Sequence, residues 1–430
     1  MLLQKLPTEL VRRIVEEFDP WYYLGRRASI QALLNLALTC RTLYLLSKPR
    51  LFRSMRIVFP SNSFQLLKRT LEEQSSYGLV RKFEIDMDWL TETRHDLTPI
   101  RDLVKQFNNL DSLISIGSTP RQILSTTKTR VLSCLFLYSQ FQAVTSLEIR
   151  ELMSQPMLRS LFLDPHHFEY AAPHSQDSPM VVNNTLTCLD LGCYGVPLTI
   201  MRETLSNCSA LSELTIPVPS ENSMPCREQP LPLSPVGISP LVSLVNPTLT
   251  YLSITTGEQR WMRHDGTKLN LSNMSALKIV HASSPLFFPP ESTSVSPQGF
   301  YWLMPKSITD IRLMFNPMQT KVVFEPLQQS SDGEHTESEN TVQSTWITEI
   351  IEHKSESFPS LSSVRFHSPT PIRKYSENPP HLEALIPKFQ TEGIKLKIDI
   401  WKEEEAATRA PAAASGVLEP WFNGRIPEID

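Results

Sequence analysis

The densest group of metal-capable side chains in the chain is Asp164-Pro165-His166-His167-Phe168-Glu169, with His174 close behind. Carboxylate and imidazole donors could hold a divalent cation if enough of them converged. Adjacent histidines point apart, however, and Pro165 and Pro173 mark a loop, so the expectation is a solvated loop with no metal. Cys188, Cys193 and Cys208 could approach one another across one structural repeat, but no fourth ligand accompanies them, and buried apolar thiols are the reading that follows. Glycine-rich phosphate loops, the HExxH zinc helix and the GxSxG nucleophile elbow are all absent from the sequence. No residue is assigned a catalytic role, and no cofactor is expected.

The elements available to position a site come from 430 residues, more than one usual domain of roughly 100–200 residues, so several domains or one long repeat array are expected. Lys and Arg number 41 against 45 Asp and Glu, which excludes a globally basic nucleic-acid binder. Glycine is scarce at 13 residues while proline is plentiful at 35, which predicts long proline-rich loops. The uncharged stretch Val131–Leu147 is interrupted by Ser133, Ser139, Gln140 and Gln142, short of the ~20 apolar residues of a membrane span. The first residues lack the basic and apolar segments of a secretory signal, and the six cysteines include no CxxC pair. A cytoplasmic or nuclear protein with reduced thiols is expected, with no nucleic-acid or membrane partner.

Residues 6–18 place Leu6, Leu10, Ile14 and Phe18 on one stripe of a short helix, with Pro7 in its first turn. Ile30–Leu46 is apolar on most of its surface, as two helices or one buried helix would be, and Pro49 is expected to stop it. In order along the chain, Leu6-Pro7, Glu9-Leu10, Ile14, the Leu36/Leu38/Cys40-Arg41 cluster, Tyr44 and the closing Pro49-Arg50-Leu51-Phe52-Arg53 resemble an F-box, in the form common in fungal proteins. The match covers about residues 5–57, with a lengthened connection at Asp19–Ala32. The resemblance implies that Leu6, Pro7, Leu10, Ile14, Leu36, Cys40 and Leu43 dock on the Skp-type linker subunit of a cullin-based ubiquitin ligase. A helical cap packed on the following domain would carry the same stripe.

From residue 80 a pattern of three apolar residues, spaced LxxLxL, returns ten times. Its clearest copies start at Leu158, Leu186, Leu211, Leu249 and Ile308; weaker ones are Val80/Phe83/Ile85, Leu110/Leu113 with Ile116 displaced, Val144/Leu147/Ile149, Leu277/Val280/Ala282 and Leu361/Val364/Phe366. The spacing averages about 31 residues and resembles a degenerate leucine-rich repeat array with insertions. The Val144 and Leu158 copies lie too close together for both to be repeat strands. Helical stretches between copies, such as Pro99–Phe107, Pro197–Leu205, Trp346–Ile351 and Leu382–Phe389, predict parallel strands joined by crossovers. The expected fold is α/β: a small helical module (1–57), a connecting helix (58–79), and a curved leucine-rich-repeat-like solenoid (80–401) with a disordered tail (402–430). Pro217–Pro240, Pro285–Pro305 and Gln328–Gln343 are expected to be mobile loops. An ordinary α/β domain with accidental matches is the alternative.

The F-box resemblance joined to a repeat array implies a substrate-recognition subunit of a ubiquitin ligase and not an enzyme. A binding scaffold without ubiquitin transfer is the other reading. An unknown target protein is expected on the concave strand face, where Asp190, Glu213 and Tyr251 point outward between the apolar positions of their copies.

Overall fold

A computed structural model describes residues 7–17, 26–59, 61–87, 96–117, 132–169, 182–192, 198–218, 235–256, 265–288, 299–315, 345–368 and 380–399. The chain starts with three helices, α1 (Thr8–Glu17), α2 (Arg26–Ala37) and α3 (Arg41–Arg53). Val11 and Val15, on the flank of the Leu10/Ile14 stripe, are the residues α1 buries; Leu33 and Leu43 do the same for α2 and α3. The apolar run Ile30–Leu46 is thus two helices, broken at Leu38–Cys40. Pro49 does not end α3, which continues to Arg53. The hydrogen bond that Pro49 lacks would have gone to the carbonyl of Leu45, so the helix continues with one backbone bond fewer.

Among the described residues twelve strands lie parallel in one curved sheet, and their order in the sheet is their order in the chain. They are β1 (Ser54–Phe59), β2 (Lys82–Met87), β3 (Ser112–Ile116), β4 (Cys134–Thr145), β5 (Ser160–Glu169), β6 (Cys188–Leu191), β7 (Glu213–Val218), β8 (Tyr251–Thr256), β9 (Ile279–Ser283), β10 (Asp310–Met314), β11 (Ser363–His367) and β12 (Lys395–Asp399). One strand per repeat, each pairing only with its sequence neighbours, is a leucine-rich-repeat-like solenoid. The apolar positions of the copies that form strands face the helical side, Ile116 excepted, and form one continuous core from Ile57 to Ile398.

The sheet begins one repeat earlier than the spacing suggested. Phe52-x-x-Met55-x-Ile57 is a copy of the motif that closes the F-box resemblance, and its strand β1 pairs with β2 in register Ile57↔Ile85. The helix Asn62–Glu73 then occupies the expected connection. The crowded Val144 copy is not a separate strand, since its Leu147 and Ile149 lie in the helix Ser146–Met153. The true copy there is Leu132-x-x-Leu135-x-Leu137, all three buried. At β3 the third core position is Ser115, fully buried, while Ile116 turns to the other face.

Hydroxyl side chains bind successive repeats together. Thr187, Ser212, Thr250, Thr309 and Ser362, each just ahead of an open-face residue, donate to the carbonyls of Arg159, Thr187, Ser212, Lys278 and Thr309 at 3.0–3.2 Å. A second row, Thr185, Thr248 and Ser307, donates to Leu158, Leu211 and Leu277 at 2.7–2.9 Å. These contacts satisfy backbone carbonyls at the turn into each strand.

The two proline-rich stretches are shorter as loops than expected. Pro217 and Val218 end β7, and Pro235–Ser243 is a helix that buries Ile238, Leu241 and Val242. Leu286, Phe287 and Phe288 on one side, and Phe300 and Met304 on the other, are core residues, so Pro285–Pro305 is anchored at both ends by aromatic burial. The remainder of those stretches, Gln328–Gln343 and the tail after Trp401 lie outside the described residues. Among the described residues no helix is long and apolar enough to cross a membrane.

Candidate functional site

The face of the sheet opposite the helices carries one residue from each strand in register, and its middle row sits between the second and third apolar positions of each copy. Read from β1 to β12 that row is Arg56, Glu84, Ile114, Phe136, Phe162, Asp190, Thr215, Ser253, His281, Arg312, Arg365 and Lys397. The character changes along it in four steps. At β1 and β2, Arg56 is held between Glu84 at 3.1 Å and Asp86 at 2.9 Å, an ion triplet with one carboxylate in excess. Across β4 and β5, Phe136 and Phe162 stack in parallel with ring centroids 4.0 Å apart.

Asp190, Glu213 and Tyr251 lie where the sequence placed them, on the open face of β6, β7 and β8, half-buried by their neighbours. The register sets Glu213 directly beside Tyr251, whereas Asp190 is one position along, opposite Thr215. Burial raises the Tyr251 phenol above its ordinary pKa, with Asp190 and Glu213 adding to the shift. The open face of β6–β8 therefore carries two carboxylates and no cation.

The opposite sign gathers over β9–β12. Among the described residues, Arg312, Arg365, Lys395 and Lys397 share that end of the face with only Asp310 and Asp399. Arg312 donates through Nε and Nη2 to Asp310 Oδ2 at 2.8 and 2.6 Å. Arg365 Nε and Lys397 Nζ both reach Asp399 Oδ2, at 3.1 and 2.8 Å. Between them His281 and His367 meet with Nε2 atoms 3.4 Å apart, and Ser253 Oγ lies 3.4 Å from His281 Nδ1. Burial first, and the adjacent guanidinium groups next, push His281 down to about 4. His367 falls to about 3 from burial and from His281 itself. Both rings are neutral at pH 7, and at this distance an Nε2–H of one ring can donate to the other ring's lone pair when their tautomers differ.

This basic end was not picked out from the sequence, although the signal was present. Arg312, Arg365 and His281 hold the same motif position as Asp190, Thr215 and Ser253, and aligning that one position over all copies reads out the row.

Among the described residues the cysteines do not form a site. Cys188 lies on the open face and Cys208 on the helical side, where its Sγ is 3.2 Å from the Thr204 carbonyl oxygen; Cys193 lies outside the described residues. Desolvation raises the Cys188 thiol and takes Cys208 up to about 12, as it does Cys134. The segment Asp164–Glu169 is not a loop: its backbone extends β5 and pairs with β4 from Asp164↔Tyr138 to Glu169↔Thr145, with a register shift between Ser139 and Ala143. His174 lies outside the described residues.

Of the linker-docking residues implied by the F-box resemblance, Pro7 and Leu10 are exposed, Ile14, Leu36 and Cys40 are half-buried, and Leu6 lies outside the described residues. Leu43 is buried inside the module and supports the helices from within. Leu34, Leu38 and Leu45 extend the exposed aliphatic surface, Leu38 being 85% exposed. Tyr44 Oη and Lys48 Nζ hydrogen-bond Gln74 at 2.8 and 2.9 Å, which ties α3 to the end of the next helix. Beside that junction a cavity of about 450 Å³ is rimmed by Arg50, Arg53, Arg81 and Asp111. Pro49, Gly78 and Leu79 complete its lining, and among the described residues no nucleophile is paired with a base there.

No protein-family model matches the chain, and no curated protein is significantly similar to it. Among solved structures it is similar to the leucine-rich repeat-containing protein LegL7 from Legionella pneumophila, at 11% identity and a TM-score of 0.36, over 79% of this chain and 98% of that one.

Proposed function

We propose that the chain is a protein-binding scaffold acting as the substrate-recognition subunit of a Skp-cullin-F-box ubiquitin ligase. The helical module grips the Skp-type linker, and the open sheet face holds a target protein. The observation that carries the reading is the outward aliphatic surface of the module: Leu10, Leu34 and Leu45 stand exposed on its helices and Leu38 in the turn between α2 and α3, while Val11, Val15, Leu33 and Leu43 hold it together from inside. A concentration of exposed aliphatic side chains on so small a unit marks an interaction site. The ubiquitin-loaded enzyme, elsewhere in the complex, performs the chemistry; this chain raises the effective concentration of target lysines near it.

The second reading, a scaffold uncoupled from ubiquitin transfer, is favoured by the open face alone, which can hold a target without any linker. Co-expression with the linker and a cullin separates the two. Wild type should co-purify with both. Leu10→Asp with Ile14→Asp should lose both by burying charge in the interface, at a cost of several kcal/mol, while far-UV circular dichroism stays unchanged. Retention of the linker by the double variant rules out the adaptor reading.

A further inference from the structure

The open face is electrically polar along the sheet. Its β6–β7 section presents Asp190 and Glu213, and its β10–β12 section presents Arg312, Arg365, Lys395 and Lys397 against Asp310 and Asp399. Among the described residues, four cations less two carboxylates leave a net charge of +2 at one end, against −2 at the other. Strands are spaced ~4.8 Å apart, so the four steps from Glu213 on β7 to Arg365 on β11 span about 19 Å. An extended peptide laid across the strands covers that in about six residues at ~3.3 Å each.

We infer that the open face binds an extended peptide of a target protein that carries an acidic cluster at one end and a basic residue about six positions away, the acids lying over Arg312, Arg365 and Lys397 and the base over Asp190 and Glu213. This rests on the scaffold reading and specifies the chemistry of its target. A uniformly acidic peptide meets repulsion at β6–β7, and a uniformly basic one meets it at β10–β12. Charge complementarity of this kind sets the orientation and excludes wrong partners.

Two further atoms lie in the same patch. Asp310 Oδ1 and His367 Nδ1 are shielded from solvent and have no hydrogen-bond partner among the described residues. Such groups are costly when left unmade. The His281–His367 pair, neutral at pH 7, adds no charge of its own to this end of the face.

The test uses the full chain and fluorescently labelled peptides read by anisotropy. One peptide has three glutamates, a six-residue Gly/Ser/Ala spacer and two lysines; the others are all-acidic, all-basic and a version with a two-residue spacer. The bipolar six-spacer peptide should bind tightest, and its affinity should fall steeply with salt. Lys395→Glu with Lys397→Glu, both exposed positions, should weaken it about tenfold or more, as expected for loss of charge complementarity. Glu213→Lys should weaken the bipolar peptide and strengthen the all-acidic one. Lys388→Glu, on an exposed position of the helix Leu385–Thr391, should change nothing.

Equal binding of the acidic and basic peptides, or indifference to the Lys395/Lys397 reversal in a protein whose circular dichroism is unchanged, overturns the inference. So does absence of binding by every peptide. A random displayed-peptide library panned on the same protein keeps this failure apart from that of the scaffold reading. Enriched sequences without the acidic cluster leave the scaffold standing and remove only the charge assignment, whereas no enrichment at all removes both.

Discussion

His281 and His367 put a measurable pH dependence into the C-terminal half of the sheet. Burial and the flanking Arg312 and Arg365 hold both rings far below the ordinary value of about 6.5, against a smaller opposing pull from Asp310 and Asp399. In the unfolded chain each ring takes up a proton as the pH drops below 6.5, but in the folded chain it does so only near 4 or below. The unfolded state thus binds more protons across that window, and stability is complete above 6.5 and lost progressively as pH falls toward 4. Between pH 7 and pH 5 each ring should cost on the order of 1–2 kcal/mol. Thermal melts at a series of pH values should show the decline, and His367→Gln should flatten part of it. An equal slope in that variant would mean the pair is not responsible. Gly117 is a second single-residue constraint: its φ is +84°, and an added Cβ would come 3.1 Å from the Met87 Cβ. Gly117→Ala should therefore destabilise by at least about 1 kcal/mol, read from the urea midpoint.

Individual elements were legible wherever period and burial coincide. The helices Leu198–Ser206 and Thr345–Glu352 bury Met201, Leu205, Trp346, Ile347 and Ile350, the positions their spacing marks. The strands at Leu161, Leu189, Leu214, Leu252 and Ile311 likewise follow from LxxLxL. Legibility failed where another signal overlaid the repeat. Phe52/Met55/Ile57 was hidden inside the F-box resemblance, Leu132/Leu135/Leu137 inside an uncharged run twice as long as a strand, and the copy at Leu110 behind a buried Ser115. A helix period also fits Val144/Leu147/Ile149 in part, and there the helix won. The residues that distinguish this open face fill the variable motif position, where no local pattern constrains identity, so only alignment of all the strands exposes them. Trp346 offers a check at this scale: it is fully buried against Phe288, Phe300 and Phe366 with ring centroids 4.5–5.7 Å away. Trp346→Ala should cost about 3–5 kcal/mol in chemical denaturation, and a loss below about 1 kcal/mol would mean the aromatic cluster is not part of the core.

Across the whole molecule every strand pairs only with the strands before and after it, so the architecture is close to one-dimensional. Stability is then a sum over repeats and the contacts between neighbours, and damage at one end should stay near that end. Removal of residues 380–430 supplies the case. It takes away the helices that bury Leu382, Leu385 and Phe389, the strand β12, and Asp399, the carboxylate that pairs Arg365. The edge of β11 and the core beneath Val364 and Phe366 then face water. Hydrogen–deuterium exchange should lose protection over β10 and β11 and over the helix Thr345–Glu352, whereas β1–β8 should keep wild-type protection, because their hydroxyl rows and core contacts involve only adjacent repeats. The same truncation removes Lys395 and Lys397 from the basic end while leaving Leu10 and Ile14 untouched, so the bipolar peptide should bind at least about tenfold more weakly with linker co-purification intact. Loss of protection throughout the sheet would instead show that the twelve strands fold as a single cooperative unit.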